Sequence, residues 1–179
     1  IDLSFLNETP VIRYSFSLGD YILAFKCDEE TFDLSRLNNS APLLFNHDVD
    51  KHIGTISNAR FENGVGRCQA RWARNPLALE KRQDCEDGHL RKVSCCFSII
   101  KADELDDEEL TPELKQMSDD YDRCPVYFIK KAELDENSLV TVAAIDTIGV
   151  GLAKQTNQSA ANGPTAAETL NPNNNKGTT

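Results

Sequence analysis

Ser94, His47 and Glu136 are the residues whose types could together activate a hydroxyl. Ser94 stands in Leu90-Arg91-Lys92-Val93-Ser94-Cys95-Cys96-Phe97-Ser98-Ile99-Ile100. Val93, Cys95, Phe97 and Ile99 recur at period two, which predicts a strand with one apolar face. Ser94 then points to the other face, between Lys92 and Cys96. A small hydroxyl there becomes a nucleophile only if a base takes its proton. His47, in Asn46-His47-Asp48, ends the apolar run Leu43-Leu44-Phe45 at a predicted strand-to-loop junction. A neutral imidazole at such a place can be that base. Glu136, in Asp135-Glu136-Asn137-Ser138-Leu139-Val140, enters the last predicted strand and could hold a histidine ring by accepting its Nδ1–H.

Taken singly, each has an ordinary alternative: a surface serine, a structural or solvated histidine, a solvated carboxylate. Nucleophile, base and orienter are recognised by geometry, and local patterns do not bring these three together. Of the other two histidines, His52 precedes a strand as a surface residue. His89 follows the glycine that ends a helix, where a basic side chain suits the helix dipole. Gly-x-Ser-x-Gly and phosphate-binding glycine loops are absent, and the six cysteines lack zinc-ligand spacing.

The elements that must position these residues are mostly short strands. Residues 10–18 and 21–27 read as strands around Gly19-Asp20, and Asp33 caps a helical turn over residues 33–37. Residues 53–60 and 65–72 read as a hairpin around Asn63-Gly64. Asn75-Pro76 opens a helix with only a weak apolar stripe, closed by Gly88 as a left-handed cap. Residues 126–129 and 139–145 read as two further strands. The pattern predicts a β-rich α+β domain, a barrel or sandwich with helical additions.

The chain has 179 residues, enough for one domain with a core, and 40% hydrophobic and 27% charged residues fit a soluble globular protein. No apolar run approaches a membrane span, and Ile1-Asp2-Leu3-Ser4 shows neither the basic nor the apolar region of a signal peptide. The cysteines read as reduced, buried thiols. Nearly all of the net charge of −10 falls in residues 102–122, where Lys115 is the single basic residue. This segment reads as a solvated acidic loop insertion with a short helix, and the chain lacks the basic patch of a nucleic-acid binder. Residues 1–154 are expected to form the domain. Residues 155–179, dominated by Asn, Thr, Ala, Gly and Pro, are expected to be a disordered low-complexity tail or linker.

Three blocks resemble the prohead (head maturation) serine proteases of tailed bacteriophages. The first is Asp33-Leu34-Ser35-Arg36-Leu37-Asn38-Asn39, Ala41-Pro42-Leu43-Leu44-Phe45-Asn46-His47-Asp48 and Ile53-Gly54. The second is Gly88-His89-Leu90-Arg91-Lys92-Val93-Ser94 with Phe97. The third is Glu136-Asn137-Ser138-Leu139-Val140-Thr141-Val142-Ala143-Ala144 with Gly149-Val150-Gly151. They stand in family order over residues 33–151. The chain departs from the family pattern at Cys95-Cys96, where many relatives have a small or β-branched residue and then Gly. It departs again at Ala143 and Ile145, which replace the usual Pro and Asp.

The resemblance implies a mainly antiparallel β-barrel ringed by helices, like the herpesvirus assemblin protease. It implies a serine endopeptidase in which Ser94 is the nucleophile, His47 the base and Glu136 the residue that orients His47, with no cofactor and no metal. Oxyanion donors stay open between backbone N–H groups near Cys95 and Cys96 and an arginine such as Arg91. The implied substrate is major capsid protein or a scaffold segment, cut inside the assembling prohead in the host cytoplasm, with self-cleavage. A homo-oligomer is expected, with no nucleic-acid or membrane partner. The competing expectations are a catalytically silent capsid-assembly or scaffold module of the same fold, and a plain β-rich binding domain.

Overall fold

The computed structural model describes residues 1–145 and 147–151. In chain order the elements are β1 (Asp2–Asn7), β2 (Val11–Ser15), β3 (Gly19–Ala24), β4 (Phe32–Asp33), α1 (Ser35–Asn38), β5 (Pro42–Phe45), β6 (Asp48–Glu62), β7 (Val65–Trp72), α2 (Pro76–Glu86), β8 (Lys92–Glu104), α3 (Pro112–Asp120) and β9 (Val126–Val140). β9 is the axis of the sheet. It pairs in parallel with β3, β4 and β5, and antiparallel with β8.

The predicted strands at 126–129 and 139–145 are therefore one strand that stops at Val140. Lys130, Lys131, Glu133 and Asp135 mask it as a loop in the sequence, while Ala132 and Leu134 between them are fully buried. A strand can carry charges on one face provided the other is buried.

The main path of the sheet is β1-β7-β6-β5-β9-β3-β2, with β4 and β8 also on β9. Its ends, β1 and β2, do not pair with each other, so the sheet is not closed. The expected barrel is corrected to an open, mixed sheet with few helices. Period-two patterning says which face a strand buries, not whether the first and last strands meet.

Local signals account for several elements. Asn63 and Gly64 both have positive φ, 52° and 71°, as a two-residue hairpin between β6 and β7 requires. The Asn75 side chain accepts from the Ala78 N–H at 2.7 Å and Pro76 opens α2, while Gly88 lies beyond its end at φ 82°. Asp33 is not itself the cap of α1. Its carboxylate accepts from the Ser35 N–H at 2.8 Å, and Leu34 holds the cap position.

The core packs Leu3, Phe5, Ile53, Ile56, Val93, Ile129 and Leu139 around a chain of rings. Phe32 lies 5.5 Å from both Phe25 and Phe97, and Phe61 links Phe32 to Phe5. Each such pair adds about 0.5–1.5 kcal/mol beyond area burial. Phe97 thus pins β8 three residues beyond Ser94. The apolar row of β8 does not stay buried, however: Val93 is inaccessible, Cys95 and Phe97 are partly buried, and Ile99 is 42% exposed.

The acidic segment contains a short helix, as its sequence predicts, between two strands. β8 runs on to Glu104, and Thr111 caps α3 by accepting from the Leu114 N–H at 3.3 Å. Leu114 then packs with Ile22, Ala24, Cys124 and Val126 in a small second core. The six cysteines are free thiols, with Cys27, Cys68 and Cys124 buried as expected and Cys96 exposed. Residues 155–179 lie outside the described residues.

Candidate active site

The β5–β6 hairpin turns on Asn46 and His47, with φ of 54° and 58°. Two left-handed residues in succession match the right-handed twist of the flanking strands. Outside glycine this conformation is uncommon, although Asn and His adopt it more readily than most residues, so the surroundings must hold two in succession there. They do so through β9. The Asn46 N–H donates to the Leu139 carbonyl at 2.9 Å, and the Thr141 N–H donates to Asn46 Oδ1 at 3.1 Å. The His47 N–H donates to the Ser138 hydroxyl at 3.0 Å.

The turn aims the His47 ring at Glu136, with Nδ1 at 2.5 Å from Oε1. The other carboxylate oxygen, Oε2, accepts from the Ser138 hydroxyl at 2.9 Å. Ser138 is fully buried, so one hydroxyl couples the backbone of His47 to the carboxylate that holds its ring. With Glu136 ionised, the proton belongs on Nδ1, and Nε2 is left as the basic nitrogen.

Glu136 is not at a strand start, as the sequence predicts, but deep in β9 beside an irregularity. Cys96 pairs with Glu136, while Phe97 pairs with Leu134, so Asp135 is an extra residue in the ladder. Such a bulge re-aims the neighbouring side chain. Asp135 is itself tied to Arg36 by an ion pair and accepts from the Ser98 hydroxyl at 2.7 Å. Ser94 lies directly across the ladder from Ser138, and Cys96 across from Glu136. Opposed residues of an antiparallel pair share a face, so Ser94, Ser138 and Glu136 stand on one side of the sheet.

His47 and Ser94 line the same open cleft of about 450 Å³, walled further by Arg13, Tyr21, Leu23 and Phe97. The Ser94 hydroxyl makes no hydrogen bond to the His47 ring among the described residues. Catalytic hydrogen bonds commonly tighten only when substrate is bound. The structure thus brings His47 and Glu136 into direct contact, with Ser94 on the same cleft. His52 and His89 are exposed and lie elsewhere, on β6 and beyond α2.

The two thiols beside Ser94 are poorly activated. Burial pushes the Cys95 thiol well above its ordinary range, and the Glu136 carboxylate adds to this. Cys96 is pushed up by desolvation and then by Glu136 and Asp135. Both are therefore protonated near neutral pH. Of the oxyanion candidates, Arg91 is engaged at the end of α2, where its Nε donates to the Gly88 carbonyl at 3.3 Å. Ser138, Arg13 and the Asp135 bulge escape sequence reasoning. The one available signal was Ser138 itself, a small polar residue in a stretch otherwise running into Leu139 and Val140.

The family model described as caudovirus prohead serine protease matches residues 24–162, well over half of the chain, and its span includes His47, Ser94 and Glu136. Comparison with curated proteins and with solved structures gives no match.

Proposed function

This chain belongs to the caudovirus prohead serine protease family, and we propose that Ser94, His47 and Glu136 are its catalytic triad. Membership makes it a serine protease of phage capsid maturation, with capsid protein as its general substrate and the prohead in the host cell as its place of action. No described helix is long and apolar enough to cross a membrane.

The observation that carries the triad is the contact of His47 Nδ1 with Glu136 Oε1 at 2.5 Å, on a histidine that shares its cleft with Ser94. In this reading Ser94 Oγ attacks the peptide carbonyl carbon while His47 Nε2 takes its proton. Glu136 keeps the Nδ1 proton in place and stabilises the imidazolium as it forms. The imidazolium then protonates the leaving amine. Water, deprotonated by the same Nε2, attacks the acyl carbon, and the imidazolium returns that proton to Ser94 Oγ as the acyl group leaves. Oxyanion donors would add about 3–4 kcal/mol each.

Cleavage of scaffold-like segments of capsid protein, self-cleavage and a homo-oligomeric state are part of the same proposal. So is kinship with the herpesvirus assemblin fold, which a β-rich sheet with a few short helices supports. Labelling with a fluorophosphonate tests the triad. Wild-type protein should be modified at Ser94, and Ser94→Ala should stop processing of co-expressed capsid protein. An unlabelled Ser94, with processing unchanged in Ser94→Ala, would overturn it and favour a silent assembly module.

A further inference from the structure

The β2–β3 hairpin forms a wall of the Ser94 cleft, and it contributes one cation. Arg13 and Tyr21 are cross-strand partners on this hairpin, and both line the cleft with Ser94 and His47. Arg13 also lines a tight recess of about 20 Å³ that backs onto Ser94 and is otherwise walled by apolar side chains such as Val11, Phe25 and Val93. Arg13 therefore borders both spaces that Ser94 lines.

Arg13 is half-buried, yet it forms no ion pair among the described residues. Its one hydrogen bond is to the carbonyl of its neighbour Ile12, at 3.3 Å. Several other basic side chains do find a carboxylate, among them Arg36, Lys51, Arg60, Arg67, Lys81 and Arg82. Among the described residues no Asp or Glu lines the cleft, whose remaining walls include Leu23, Phe97, Ile99 and Val142. A partly desolvated guanidinium without a counter-ion is unfavourable, and a carboxylate arriving with the substrate would relieve that cost through a charge-assisted, two-pronged hydrogen bond.

We propose that Arg13 is a specificity-determining residue that selects substrates with an acidic side chain close to the scissile bond, set among apolar neighbours. The proposal rests on the protease reading above. The long guanidinium reaches a carboxylate beside the peptide bond held at Ser94. The apolar walls accept the residues on either side of that carboxylate.

The test uses the full chain and pairs of quenched peptides that differ only by Glu against Gln, or Asp against Asn, at each position flanking the cleaved bond. Wild-type protein should cleave the acidic member faster in at least one pair, by roughly tenfold to a hundredfold, the range of a charge-assisted hydrogen bond. Arg13→Ala should collapse that ratio toward one, and Arg13→Glu should invert it when Lys replaces the acid. Fluorophosphonate labelling of Ser94, run in parallel, reports on the protease reading by itself. Labelling retained with the same acidic-to-neutral ratio in wild type and Arg13→Glu overturns the Arg13 assignment alone. A fall in Arg13→Ala that is equal for both members of every pair also overturns it, since Arg13 would then serve the reacting carbonyl and not a side chain. Absence of labelling in the wild type, with no peptide cleaved, overturns both.

Discussion

The backbone N–H of His47 donates to the hydroxyl of Ser138 at 3.0 Å. The same hydroxyl spends its only proton on Glu136 Oε2, at 2.9 Å. A residue of the strained hairpin turn is thereby joined to the axial strand through the carboxylate that holds its own ring.

Ser138→Ala should therefore affect both stability and catalysis. It leaves the His47 N–H without its protein partner and removes a donor from Glu136. The expected cost is about 1–3 kcal/mol of stability, measured by urea unfolding. It should also lower kcat by roughly tenfold to a hundredfold, the scale on which a small misplacement of a catalytic group acts. A shift in the pH profile of kcat/KM separates loss of positioning from simple destabilisation, which would leave the profile in place.

Glu136→Gln keeps the shape of the side chain and removes its charge. The imidazolium then loses its counter-charge, and the ring can take the wrong tautomer. Peptide hydrolysis should fall on the order of 10³–10⁴-fold, with little change in melting temperature. His47→Ala should abolish cleavage with the domain still folded. A collapse in thermal stability would indicate that His47 is there to hold the turn.

Ser94→Ala and the double variant Ser94→Ala/His47→Ala should lose about the same activity. Members of a triad act as a unit, so removing the second costs little once the first is gone. Single-turnover hydrolysis of a quenched peptide measures this. Multiplicative losses would show that the two residues act independently.

Gly54→Ala tests the packing of the hairpin that carries His47. A Cβ at Gly54 would sit 2.6 Å from the Arg71 carbonyl oxygen on β7 and 3.4 Å from Leu43 Cβ on β5. Backbone would have to move, so a loss of about 1–3 kcal/mol is expected in urea unfolding. An unchanged midpoint would mean that the strands separate without cost.

Cys96 is the exposed thiol at the cleft, and its pKa is raised by desolvation and by Glu136 and Asp135. The thiolate is the form that reacts, and a raised pKa shrinks its fraction at any lower pH. Iodoacetamide should modify Cys96 slowly at neutral pH, and the rate should climb only as pH rises past the ordinary thiol range of about 8.5. Once modified, the cleft should lose peptide cleavage, followed by mass spectrometry alongside activity. Fast alkylation at pH 7 would contradict the environment described for this thiol.

Much of the local structure was legible in the chain. Asn63-Gly64 marked its hairpin, Asn75-Pro76 opened its helix, and the odd-numbered row from Val93 identified the Ser94 strand. These signals are local, since a turn residue or a cap acts within a few positions of itself. The three-block resemblance then named Ser94, His47 and Glu136 without any physical reason for them to meet. Tertiary structure supplied that reason for two of them. β9 runs unbroken through a charged stretch, bulges at Asp135 and turns Glu136 toward a histidine held on a left-handed turn. It also decided that the sheet stays open, that Ile99 leaves the core, and that Arg13 shares the cleft with Ser94. Register and sheet order depend on pairings between residues far apart in sequence, which no local pattern encodes.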